Sequence, residues 1–176
     1  MAYPKFLLLL FLFGLSPTVR AQTKAQDLLA IKKEYQEIAA DKTLKKVTLD
    51  NDTFLDTPTD GGRELTGYYK KGQLRKIVAT TGLSNGRTQI EYYFKDGQLI
   101  FVYEVFNAYD YNESKGTFDY TKTSRTFEGR YYFKENHLGD FSTTGHNRFE
   151  DDALDPEKIL LQEANTYSRL LKAKKK

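Results

Sequence analysis

A seven-residue pattern occurs three times in the middle of the chain. Tyr68-Tyr69-Lys70-Lys71-Gly72-Gln73-Leu74, Tyr93-Phe94-Lys95-Asp96-Gly97-Gln98-Leu99 and Tyr132-Phe133-Lys134-Glu135-Asn136-His137-Leu138 share the order Tyr, aromatic, Lys, polar, Gly or Asn, polar, Leu. A two-residue hairpin loop of type I′ needs positive φ at both central residues, a region that Gly and Asn enter at least cost. Lys71-Gly72, Asp96-Gly97 and Glu135-Asn136 stand where such loops belong, between an aromatic strand entering and an aliphatic strand leaving. Three hairpins are therefore expected, with the Lys beside each loop keeping its tip in water. Segments folded back in this way join into an antiparallel meander.

The intervening residues supply the strands. Alternation and turn residues predict strands at 64–70, 73–81, 87–95, 98–109, 119–134 and 138–143, with a short extra strand at 46–50. Gly82 to Gly86 and Asn112 to Gly116 connect them outside the repeats. In 87–95, Thr88, Ile90, Tyr92 and Phe94 fall on one face and Gln89, Glu91 and Lys95 on the other, with Tyr93 interrupting the polar side. In 98–106, Leu99, Phe101, Tyr103 and Val105 share one face and Ile100, Val102 and Phe106 the other. A strand apolar on both faces is covered on both, so 98–106 is expected at the centre of the sheet. Leu28, Ile31, Tyr35 and Ile38 recur at helical spacing within 24–40. Asp155 is a good N-cap and Pro156 a good first residue for a helix at 156–173. The predicted class is α+β: an antiparallel β-meander of about six strands, with an N-terminal and a C-terminal helix packed on it.

The first residues look like an address. Lys5, an apolar run from Phe6 to Leu15, the break at Ser16-Pro17-Thr18 and the small-residue end Val19-Arg20-Ala21 have the three-part design of a secretory signal. The run is too short to span a bilayer of ~30 Å as a permanent helix. The expectation is a signal peptide over 1–21 and a single exported domain over 22–176, periplasmic or secreted. Removing 1–21 takes Lys5 and Arg20 from 27 basic residues and none of the 24 acidic ones, leaving a net charge of +1. Nucleic-acid binding needs a surplus of cations to displace phosphate counterions, and none remains. Lys172, Lys174, Lys175 and Lys176 suit the C-terminal end of a helix dipole. The absence of Cys removes thiol catalysis, disulfides and a lipoprotein anchor.

The Tyr-Phe-Lys-Asp-Gly-Gln-Leu pattern resembles a loose group of exported bacterial proteins of unknown function. These carry tandem aromatic-aromatic-x-x-Gly-x-Leu hairpins, distantly MORN-like in style. The likeness covers about residues 64–143 and a following helix. It implies architecture and no catalytic residue.

Phosphate-loop, nucleophile-elbow and zinc-helix motifs are absent from the sequence. Ser84-Asn85-Gly86 is what a hairpin loop requires, and His137 occupies a repeated turn position held by Gln in the other copies. His146, in a polar loop near Arg148 and Glu150, could serve as a base or a metal ligand, although loop polarity accounts for it equally. Glu91 and Glu104 could come close on paired strands, as a hydrolase carboxylate pair ~5–9 Å apart requires; a surface ion pair is the competing outcome. Asp50, Asn51, Asp52, Asp56 and Asp60 offer oxygen ligands without the spacing of a calcium loop. The richest stretch is an aromatic hairpin. Tyr103, Tyr109, Tyr111 and Tyr120, with Asn107 and Asp110, have the composition of a sugar- or peptide-binding surface. Cross-strand packing alone would use the same rings. The expected function is a non-enzymatic binding or interaction module for an envelope glycan or protein, without cofactor or metal. A hydrolase using Glu91 with Glu104, or His146, and a purely structural or assembly role are the alternatives.

Overall fold

In the computed structural model the described residues are 17–49, 60–146, 148–151 and 153–174, with side chains from Lys24 onward. The apolar leader and Asp50 to Asp56 lie outside them. All three repeats turn in the same way. Both central residues have positive φ in each: Lys71 at 48° and Gly72 at 83°, Asp96 at 49° and Gly97 at 80°, Glu135 at 53° and Asn136 at 63°. These are the type I′ corners the pattern demands.

The corners link strands β2 (Arg63–Lys70) to β3 (Gln73–Leu83), β4 (Gly86–Lys95) to β5 (Gln98–Asn112), and β6 (Thr117–Lys134) to β7 (His137–Thr144). With β1 (Lys45–Leu49) they form one seven-stranded antiparallel sheet in sequence order, one strand more than the six expected, because the short segment near 46–50 does pair. Helices α1 (Pro17–Ala40) and α2 (Pro156–Lys174) flank it. Asp155 caps α2 through its side chain, accepting from the Glu157 and Lys158 amides at 2.9 and 3.3 Å.

Each repeat also carries a β-bulge at the same place. The register steps from Tyr68↔Lys76 to Tyr69↔Leu74, from Tyr93↔Phe101 to Phe94↔Leu99, and from Tyr132↔Asp140 to Phe133↔Leu138. Arg75, Ile100 and Gly139 are the extra residues. A bulge reverses the alternation beyond it. The faces expected for 98–106 are therefore corrected: Leu99 joins Val102 on the α2 face, and Ile100 joins Phe101 and Tyr103 on the α1 face. The two aromatics of a repeat part company by ordinary alternation on the unbulged strand, Tyr93 and Tyr132 packing under α1 and Phe94 and Phe133 under α2. β5 is covered on both sides, as its doubly apolar sequence requires.

The larger core lies under α2, where Leu160, Ala164 and Leu171 bury against Leu65, Ile77 and Tyr92. Under α1, Tyr35 stacks on Phe101 at 4.0 Å between ring centroids. The repeat lysines do more than keep the tips wet. Lys134 pairs with Asp27 at 2.7 Å, Lys95 with Glu34 at 3.0 Å and Lys70 with Asp41 at 2.6 Å. The acids are seven residues apart, two helical turns or about 10.5 Å. The lysines stand on alternate strands, about 9.6 Å apart. Helix α1 thus crosses the strands with Asp27 and Glu34, and Asp41 just past its end, in step with the sheet repeat.

Candidate functional site

Strands β5 and β6 outrun their neighbours. β4 stops at Gly86, opposite Ala108, and β7 stops at Thr144, opposite Glu128. What projects is a two-stranded ribbon, and its twist is set by irregular pairing in β6. Between Tyr109↔Thr123 and Asp110↔Asp119, residues Tyr120, Thr121 and Lys122 have no partner on β5. The Asp119 carboxylate holds this excursion by accepting from the Thr121 hydroxyl and amide at 2.6 and 3.0 Å, which also keep its carboxyl below the usual range.

The excursion gathers rings. Tyr109 meets Tyr120 edge-on at 5.0 Å, Tyr111 meets Phe118 at 5.3 Å, and Phe118 lies 6.5 Å from Tyr120. Tyr111 remains 55% and Tyr120 61% exposed. Of the residues singled out in sequence, the ribbon brings Tyr109, Tyr111 and Tyr120 together. Tyr103 lies nearer the sheet centre, under the Arg130 guanidinium at 5.4 Å, with its hydroxyl donating to Glu128 at 3.1 Å. Asn107 pairs across from Arg125, whose side chain donates to the Tyr103 hydroxyl oxygen. Alternation puts Asp110 on the opposite face, where it accepts from Ser124 at 3.0 Å.

On the α2 face there is a second feature. A cleft of about 420 Å³ runs between the sheet, α2 and the segment after β7, with Leu83, Phe106 and Phe127 among its walls. Glu104 lines it, although only 4% exposed. Its Oε1 lies 3.2 Å from Arg148 Nε, close enough for an ion pair but off hydrogen-bond alignment. Arg148 gives its two terminal nitrogens to Glu163, at 2.5 and 2.8 Å, and Tyr92 donates to Glu163 at 2.7 Å. Burial pushes the Glu104 carboxyl up to about 6, an effect Arg148 opposes and Glu163 reinforces. Burial likewise raises Tyr92 and Tyr131.

The register rules out the Glu91–Glu104 pair. Glu91 stands opposite Tyr103 and Glu104 opposite Ile90, so the two carboxylates project from opposite faces of the sheet. Glu91 is held by Lys76 at 2.8 Å and by the Tyr93 hydroxyl. His146 lines the mouth of the cleft, but its side chain is 99% exposed and sits 3.1 Å from Glu150. His137 is 81% exposed, as its turn position implies. Glu163 escaped the sequence reading, although it falls inside the apolar stripe of α2 between Leu160 and Tyr167. A carboxylate in such a stripe signals a buried partner.

Among the described residues no group of three or more His, Asp or Glu could hold a metal, and no helix is long and apolar enough to cross a membrane. Comparison with protein-family models, with curated proteins and with solved structures finds no match in any of the three.

Proposed function

We propose that the protein is an exported, non-enzymatic binding module that engages envelope glycan through the projecting ribbon. The observation that carries this reading is the exposure of Tyr111 and Tyr120 on a ring cluster continuous with Tyr109 and Phe118. Rings held by neighbouring rings offer a stacking platform at little further entropic cost, and the C–H face of a sugar fits the electron-rich face of an aromatic. Amide, hydroxyl and guanidinium groups lie nearby at Asn107, Thr123 and Arg125 for the sugar hydroxyls. A glycan suits this surface better than a protein partner, because polar residues interrupt the apolar area that a protein interface buries at its centre.

Sedimentation with insoluble peptidoglycan, and affinity electrophoresis through a panel of polysaccharides, test the proposal. The double variant Tyr111→Ala, Tyr120→Ala is expected to bind about five- to 150-fold more weakly, since two stacking rings contribute roughly 1–3 kcal/mol together. Unchanged binding in a folded double variant, or no binding by the parent protein, would remove the ribbon as the site.

A further inference from the structure

The cleft beneath α2 differs in chemistry from the aromatic ribbon and opens on the other face of the sheet, so what it does is independent of the glycan reading. Glu104, which lines the cleft, and Tyr131, buried beside it, each hold an oxygen without a partner. Glu104 Oε2 meets no hydrogen-bond donor, although the side chain is only 5% exposed, and the buried Tyr131 hydroxyl has none either. They belong to one place. Glu104 is the cross-strand partner of Gly129, and the Tyr131 ring folds over Gly129 so closely that a Cβ there would stand 2.9 Å from the Tyr131 hydroxyl.

Buried polar atoms in folded proteins nearly always find partners, and a buried carboxylate oxygen needs a donor more than any neutral group does. The nearest cation, Arg148, meets Glu104 only through Nε, 3.2 Å from Oε1, and gives its two terminal nitrogens to Glu163. A partner from outside that brings donors and positive charge would satisfy Glu104 Oε2. An ammonium group does both, with three N–H bonds on one centre. Leu83, Phe106 and Phe127 give the wall an apolar, aromatic side, with Arg63, Thr81, Thr88 and Tyr167 also lining the cleft, and rings beside a cation add further attraction. A volume of about 420 Å³ is in the range of small-molecule sites.

We propose that this cleft binds a primary-ammonium ligand of about amino-acid size. The nitrogen donates to Glu104 Oε2, and the apolar body lies against Phe106, Phe127 and Leu83. Glu104 is then a ligand-binding residue kept ionisable inside the core, and α2 is the wall that closes over it.

The test uses two probes of equal body and opposite charge, 2-phenylethylamine and 3-phenylpropanoate. Each is titrated into the full chain at pH 7.5 and followed by amide NMR shifts at Gly129 and Glu104. The amine is expected to bind at least about tenfold more tightly than the carboxylate. Glu104→Gln should lose that preference with its fold intact. Leu83→Arg, at a 39% exposed position on the rim, should weaken the amine without unfolding the chain. Three results overturn the proposal: no shift with the amine, equal binding of the two probes, or amine binding unchanged in folded Glu104→Gln. The first of these would leave bound water as the partner of both oxygens.

Discussion

Glu104 stands inside the core on the central strand, and its position has a measurable consequence. Its carboxyl is raised from an ordinary 4.5 to about 6, first by burial, with Arg148 working against the shift and Glu163 adding to it. Tyr131 from β6, Tyr92 from β4, Tyr167 from α2 and Arg63 from β2 also face this region. Between pH 4.5 and 6 the native protein holds a proton that the unfolded chain has released. Stability from this residue is therefore full below about pH 4.5 and lost as pH rises through 6, a cost of about 2 kcal/mol by neutral pH. Glu104→Gln should be more stable than the parent at pH 7.5 by up to about this amount and should match it near pH 4. Urea melts at the two pH values measure the difference, and equal midpoints at pH 7.5 would contradict it. A carboxylate held in the core at a cost in stability is a feature common to binding sites. Its neighbour Gly129 is constrained by space. A Cβ there would lie 2.8 Å from the Tyr131 ring and 2.9 Å from that of Phe127, so Gly129→Ala should cost roughly 1–3 kcal/mol, read from the thermal midpoint.

Between elements, the main finding is the fit of α1 to the repeat. The three hairpin corners were legible in the sequence because positive φ is a local demand that Gly and Asn advertise locally. The partners of the repeat lysines were not, since nothing near Lys70, Lys95 or Lys134 marks an acid up to 107 residues away. The bulges were hidden for another reason. Arg75, Ile100 and Gly139 share no chemistry, and only the register shows them to be equivalent. That is why simple alternation placed Leu99 on the wrong face. Glu34 takes two cations, Arg75 at 2.5 Å and Lys95 at 3.0 Å, with its side chain 18% exposed. Glu34→Ala leaves two cations without their shared partner, and a loss of about 1–2 kcal/mol is expected in denaturant titration. Leu29→Ala, at a 66% exposed position on the same helix, is the control and should change little. If the two variants melt alike, the acid ladder contributes nothing to docking.

At the level of the whole molecule, the fold follows from a repeat that makes a sheet and from two amphipathic helices that cover it. The α+β class, the strand order and the capped C-terminal helix were all legible because each rests on local signals. The site was legible only in composition. Tyr109, Tyr111 and Tyr120 stood out as aromatics, but the β6 excursion that gathers them does not follow from alternation, and the Glu104–Arg148–Glu163 group spans a strand, a loop and a helix. The two covered faces differ in weight. The α2 side buries Leu160 and Leu171 completely within the larger cluster, whereas the α1 side holds a smaller one around Ile38, Tyr93, Phe101 and Tyr132. A chain beginning at residue 22 keeps the Asp27, Glu34 and Tyr35 contacts of α1 and should melt cooperatively. One beginning at residue 44 should melt at lower temperature but still cooperatively, on the strength of the α2-side core. One ending at residue 155 loses the three buried α2 side chains, at about 2–5 kcal/mol for each large one, against a total stability of only 5–15 kcal/mol for a typical domain. It should show no cooperative transition by circular dichroism, and a sharp melt in that chain would mean the sheet is held together chiefly by its own hairpins and by α1.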